Sequence, residues 1–181
     1  MKTHAHIRKV AERYNMVPNV VWTVLNLTPV FIFCYTAIPP EQIGWVLLLS
    51  AIAAFLPSHW YKWMQLGNDA AAYRKAGILL IRKYSQDGDF INKLLRRKFP
   101  HYKVIRSASE HQRYIQRANM FERFHVAAMA AMLAFAVYAL YLQQHAWALV
   151  ITLNNILYNV YPVWLQQYNR LRLRGIMKRK P

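Results

Sequence analysis

Acidic residues are scarce in this chain: seven Asp and Glu stand against 24 Lys and Arg in 181 residues, a formal charge of +17. Cysteine is scarcer still. The single Cys34 excludes an intramolecular disulfide and any cysteine-based zinc cluster. Phe31, Ile32 and Phe33 precede it, where a lipoprotein cysteine would follow small residues. The five glycines form no phosphate-binding loop, and no Gly-x-Ser-x-Gly nucleophile turn occurs. The seven histidines are scattered, and His4 and His6 have no clear third ligand. The closely spaced histidine boxes of membrane di-iron enzymes are missing. The sequence thus supports neither a metal site nor covalent serine chemistry, and no cofactor is expected. The first apolar run is too long for a cleaved signal peptide, and no small-x-small site follows it.

Apolar residues, by contrast, make up 56% of the chain and charged residues only 17%, which excludes a disordered basic tail. The two kinds are segregated along the sequence. Val17 to Ile38 carries no charge and exceeds the ~20 residues needed to cross a ~30 Å hydrocarbon layer. Pro29 lies within it, and Pro39 and Pro40 end it. A second run extends from Ile43 to Leu56, followed by Pro57 and by Trp60, Tyr61 and Trp63, an expected interfacial aromatic belt. A third covers Phe124 to Leu142. Gln143 to Ala146 form a tight turn into the fourth, Trp147 to Leu165.

The expected fold is therefore all-α and integral to the membrane: four transmembrane helices as two hairpins, with a mostly helical cytoplasmic insert. Its parts are an N-terminal arm (1–16), a first hairpin (17–64), a basic insert (65–123), a second hairpin (124–166) and a basic tail (167–181). Every Lys and Arg falls in the arm, in the stretch Lys62 to Arg123, or in the tail, and the two hairpin turns have none. The positive-inside bias then puts both termini and the insert on the cytoplasmic side of a bacterial inner membrane. Within the insert, Asn68 to Tyr84 reads as a helix weakened at Gly77. Asp87-Gly88-Asp89 is turn chemistry, with Asp89 placed to cap a helix through Phe99. That helix mixes apolar and basic residues, as a membrane-surface helix does. Ser107 to Met120 leads into the third span.

So much positive charge raises the question of nucleic acid. The charges border apolar spans, however, and no recognition helix or base-stacking motif accompanies them. Anionic lipid headgroups account for the pattern at about 1 kcal/mol per well-placed cation, and no nucleic-acid partner is expected. The same face attracts a phosphate-bearing substrate such as coenzyme A.

Candidate chemistry collects around the second hairpin. Glu122 and His125 are three residues apart and share a helix face at the mouth of span three. A carboxylate at that spacing can hold an imidazole in one tautomer and support it as a general base. An acid in the first turn of a membrane span and a histidine among headgroups explain the same pair without catalysis. Asn155 and Asn159, one turn apart in span four, either knit helices together or line a cavity. Pro162 opens a gap in the ladder nearby. Arg170 and Arg172, in the tail, are either topology signals or a clamp for phosphate.

Three segments bear a resemblance to a known family. Asn159-Val160 and Pro162, followed by Gln167-Tyr168-Asn169-Arg170, Arg172 and Leu173, resemble the C-terminal motif of the glycosyl-diaponeurosporenoate acyltransferases, small membrane enzymes of bacterial carotenoid synthesis. Glu122-Arg123-Phe124-His125 is similar to their Glu-x-x-His. Arg82-Lys83-Tyr84 with Asp87-Gly88 and Asn92 is similar to their Arg-Lys-Trp and Asp-Gly-x-x-x-Asn segment. Tyr161 is an extra residue relative to Asn-Val-Pro, and Leu171 replaces a proline. The resemblance implies transfer of a fatty acyl group from an acyl-CoA or acyl carrier thioester donor to a hydroxyl of a lipid or glycolipid acceptor. It implies His125 as the base oriented by Glu122, with substrate held by Asn155, Asn159, Asn169, Arg170 and Arg172 and the insert anchored by Asp87. The competing reading is a non-enzymatic scaffold or accessory subunit that binds anionic lipid through its basic collar. A transporter is disfavoured, because the spans contain no charge.

Overall fold

The computed structural model describes residues 4–57, 59–105 and 108–178, with side chains for all but 4, 108, 109 and 176–178. His4 as a ligand, Ser107 as a helix start, and Lys2, Arg106, Arg179 and Lys180 of the basic regions lie outside that description.

Every described element is helical. Helix α1 runs from His4 to Ala37, about 51 Å of unbroken rod, so the arm and first span are one element rather than two. Its two prolines, Pro18 and Pro29, sit inside it. Helix α2, Pro40–Ile52, begins with proline at a position whose N–H has no helical partner. A single 3-10 turn, Ala53–Phe55, closes it. Three short helices lie in the insert: α3 (Ala70–Lys75), α4 (Ile78–Tyr84) and α5 (Asp89–Lys98). Helix α6 then spans Ala108–Tyr141, and α7 spans His145–Asn155. A π turn, Ile156–Val160, joins α7 directly to α8, Tyr161–Lys178.

Among the described residues, three helical stretches are long and apolar enough to cross a membrane: Ala5–Ala37, Glu110–Tyr141 and His145–Gly175. The second expected span is not among them. Pro40–Phe55 is a shorter apolar helix, because Pro39 and Pro57 bound it, and its 13 α-helical residues cover only about 20 Å. It nonetheless runs back along α6. Ile43 and Val46 pack against the buried cluster that includes Ala136 and Ala139 at one end, and at the other the Ala54 carbonyl accepts from Arg123 Nη1 at 3.0 Å. Outward-facing side chains such as Leu25 (63% exposed), Phe31 (71%), Trp45 (64%) and Leu149 (61%) form a broad apolar surface. Water would not tolerate so large a patch. The molecule is an all-α, membrane-spanning helical bundle.

The bundle interior is built mainly of small and aromatic side chains. Phe33, Ala136, Ala139, Ala148 and Ile151 pack together where α1, α6 and α7 meet. The insert caps one end. Ile91 and Leu95 of α5 are buried against Ala11 and Ile7 of α1, so the apolar side of α5 faces the protein and not a membrane surface. Asp89 does not cap α5. It lies within the first turn and receives Arg82 Nη2 at 2.7 Å. The expected helix from Asn68 to Tyr84 is broken at Gly77, which adopts φ 79°, a left-handed conformation that suits glycine. Tyr61 is buried, donating to the Ala53 carbonyl at 2.7 Å, and only Trp60 and Trp63 remain of the aromatic belt as exposed side chains.

Candidate functional site

Helix α6 carries His125 to a place where α1, the α4–α5 loop and the π-turn hairpin converge. They enclose a cavity of about 270 Å³ lined by His125, Tyr158 and Phe124 at its apolar end and by Asp87, Arg117 and Asn169 toward the insert. The walls owe much to the π turn. Pro162 contributes no backbone donor, and one extra residue is taken into the helix at Ile156–Val160, the kind of local widening that often accompanies a site.

Asn159 lies in that turn, fully buried, and its Oδ1 stands 3.2 Å from His125 Nδ1. The other end of the amide is committed. Asn159 Nδ2 donates to Asn155 Oδ1 at 2.9 Å and to Met132 Sδ at 3.0 Å, and Asn155 Nδ2 donates to the Met129 carbonyl at 3.1 Å. An amide whose NH2 is used in this way presents its oxygen to the ring. The relay therefore assigns the proton of the neutral imidazole to Nδ1 and leaves Nε2 unprotonated, with the Tyr158 backbone also hydrogen-bonded to the ring. Tyr158 packs edge-on to the ring at 5.7 Å between centroids, and its hydroxyl is 3.2 Å from Thr23 Oγ1.

Glu122 is not the partner of His125. Its Oε2 is paired with Arg170 Nη1, and its Oε1 accepts from Gln167 Nε2 at 2.7 Å. Glu122 is 4% exposed and Arg170 8%. Three residues on a helix are about 300° of rotation, which leaves two side chains some 60° apart. Here that angle separates them: His125 faces the cavity and Glu122 faces α8 on the other side. The expected Arg170–Arg172 clamp is divided for the same reason. Arg170 is used internally, also donating to Asn119 Oδ1 at 2.9 Å, while Arg172 is exposed and lines a second cavity. Asn155 and Asn159 stand behind His125 in the packed interior; Asp87 and Asn169 line the cavity.

Asp87 adopts φ 54°, a left-handed conformation that Asp and Asn accept more readily than most residues. Its side chain and backbone clasp Asn15 of α1. Asn15 Nδ2 donates to Asp87 Oδ1 at 2.8 Å, and the Asp87 N–H donates to Asn15 Oδ1 at 2.7 Å. Asn92 Nδ2 donates to the Asp87 carbonyl at 2.7 Å. Burial raises the Asp87 carboxyl above its ordinary value, against the opposing pull of Arg117 and the Asn15 hydrogen bond. Arg117 Nη1 lies 3.7 Å from Oδ2.

Beyond this loop the cavity is continued by a second one of about 880 Å³, and Ser85, Gln86, Asp87, Tyr114 and Asn169 line both. Its outer wall is cationic, with Lys93, Arg96, Arg97, Lys103 and Arg172 exposed around it. Asp89 is the other carboxylate there, and Arg82 occupies it with a two-nitrogen fork. Among the described residues, no three His, Cys, Asp or Glu side chains are grouped to hold a metal ion.

A family model described as glycosyl-4,4'-diaponeurosporenoate acyltransferase matches residues 57–179. The chain belongs to this family. No curated protein and no solved structure matches it. The acyltransferase-family segment contains the insert, α6, α7, the π turn and all of α8, and with them His125, Asn159, Asp87 and the cationic cavity. It excludes α1. Asn15, Asn19, Trp22 and Thr23, which hold or line the cavity, come from outside the matched segment. Sequence reasoning had missed them, by placing Asn15 in the arm and by reading Asn19, Trp22 and Thr23 only as part of the first span. The available signal was Asn15 and Asn19 one helical turn apart.

Proposed function

We propose that the protein moves a fatty acyl group from a thioester donor to a hydroxyl of an amphipathic lipid or glycolipid acceptor. The observation that carries this reading is the continuity of two unlike cavities. One is cationic and opens on the insert; the other is lined largely by apolar side chains and holds His125. A donor such as acyl-CoA or an acyl carrier thioester has anionic phosphates at one end and an apolar chain at the other. Lys93, Arg96, Arg97 and Arg172 are suited to the phosphates, and Leu157, Leu165 and Phe121 to the chain.

His125 Nε2 accepts the proton of the acceptor hydroxyl as its oxygen attacks the thioester carbonyl carbon. The new carbon–oxygen bond forms, the carbon–sulfur bond breaks, and the thiolate leaves with the proton returned from the imidazolium. Asn159 holds the ring and its tautomer. Arg117 and Asn169 are donors on the same wall, suited to the charge that develops on the carbonyl oxygen. Asp87 anchors the α4–α5 loop to α1 across the passage between the cavities.

The topology belongs to the same proposal. Helix α2 returns along α6 as a short fourth crossing, which brings the insert, both termini and their basic residues to the cytoplasmic face of a bacterial inner membrane. There the collar meets anionic lipid.

Purified protein in lipid nanodiscs, given radiolabelled acyl-CoA and a glycolipid, tests the reading directly. Transfer is expected in the wild type, with a drop of about 10²–10⁴-fold in His125→Ala at unchanged helical content. Equal turnover by the two proteins would remove His125 from the mechanism.

A further inference from the structure

On the opposite face of α6 from His125 lies a pair of cavities that the acyl-transfer reading does not use. One, of about 440 Å³, is polar; the other, of about 840 Å³, is a trough between α2 and α6. Asn119 and Arg123 line both. Four cations border the polar one: Lys62, Arg123, Arg170 and Arg174. Glu122 is the single carboxylate on its wall, and Arg170 already neutralises it. An excess of three positive charges is left around one small cavity.

Arg123 is fixed in place. One of its five N–H donors goes to the Ala54 carbonyl at 3.0 Å, and its guanidinium stacks on Tyr61 at 5.4 Å from the ring centre. That carbonyl belongs to the 3-10 turn that closes α2, so the arginine marks the end of the apolar helix. From there the trough runs along α6 between Ala51 and Leu47 on one side and Ala127 and Ala131 on the other. A cationic pocket at one end and an apolar channel leading from it toward the bundle centre match the two ends of a phospholipid.

We propose that this cleft binds one anionic phospholipid, with its phosphate held by Lys62, Arg123 and Arg174 and one acyl chain laid between α2 and α6. The lipid completes the surface of α2, the helix too short to cover α6 by itself. The site lies across α6 from the His125 cavity, with Phe124 lining both, and its existence does not depend on the acyl-transfer reading.

Native mass spectrometry of detergent-purified protein, supplied with equimolar phosphatidylglycerol and phosphatidylcholine, gives the test. One phosphatidylglycerol per chain is expected to be retained, about tenfold in preference to phosphatidylcholine. The double variant Lys62→Gln/Arg174→Gln changes only exposed side chains and is expected to abolish that preference. Ala51→Trp fills the trough and is expected to reduce retention of both lipids with circular dichroism unchanged. Equal retention of the two lipids by the wild type, or an undiminished preference in the charge variant, would overturn the proposal. So would equal competition by inorganic phosphate, which would show that the pocket takes the anion without the chain.

Discussion

His125 and Glu122 show how much depends on a single helical step. Both were visible as chemistry-bearing residues at a membrane mouth, but spacing on one helix could not say which neighbours each would meet. Those neighbours come from the C-terminal hairpin. Asn159 Oδ1 meets the His125 ring at 3.2 Å, while Gln167 and Arg170 take the two Glu122 oxygens. Glu122 therefore contributes to holding α6 against α8, and removing one member of such a buried pair typically costs about 3–5 kcal/mol. Asn159 is the residue on which the state of the ring depends. Asn159→Leu takes away the fixed acceptor at Nδ1, and misplacement of a reacting group is expected to lower acyl transfer about 100-fold. A rate-versus-pH profile that shifts along with the loss would mark an effect on the ring; a loss of melting temperature alone would count against it.

Asp87 gives a separate, pH-dependent prediction. Its carboxyl is raised above the ordinary 3.8 by burial, so it takes up a proton more readily in the folded protein than in the unfolded chain. Stability from this group is full below 3.8 and is lost as pH rises through the higher folded value. Asp87→Asn keeps an oxygen for Asn15 and tolerates the left-handed backbone. Thermal unfolding between about pH 4 and pH 7 is expected to fall more steeply in the wild type than in this variant.

Among the elements, the long apolar helices were legible because composition and length decide them. Short elements were not. Helix α2 has the composition of a span and ends too soon, since prolines bound it on both sides. Helix α5 has the residues of a membrane-surface helix, and only the unforeseen extension of α1 beneath it explains why Ile91 and Leu95 turn inward. The Asp-Gly-x-x-x-Asn segment was recognisable as a turn, yet its tightness was not. A Cβ on Gly88 would collide with the Arg82 carbonyl and lie 2.6 Å from that of Ser85. Gly88→Ala is thus expected to destabilise the fold by about 1–3 kcal/mol. It would also loosen the Asp87–Asn15 clasp, read as a lower melting temperature together with weaker acyl transfer.

For the whole molecule, the distribution of charge was the most legible property, and the proposed orientation rests on it. With Cys34→Ala as background, His145→Cys on intact cells is expected to react with a membrane-impermeant maleimide. Lys83→Cys is expected to react only after permeabilisation. Reaction of both on intact cells would reverse the assignment of sides. What the sequence withheld at this scale is that α6 divides the protein into two faces, the His125 cavity on one and the Glu122–Arg170 pair on the other.

The π turn has a consequence for how this chain tolerates length changes. Tyr161, the extra residue in the Asn-Val-Pro motif, follows directly on the place where the helix is widened to take in one more position. Each residue of an α-helix advances the phase by about 100°. Because the π turn takes up that extra residue, excising Tyr161 would let the turn revert to regular α-helix and leave Gln167 and Arg170 facing Glu122. A deletion between Val163 and Gln166 has no such reserve and would rotate all that comes after it by that angle, away from Glu122.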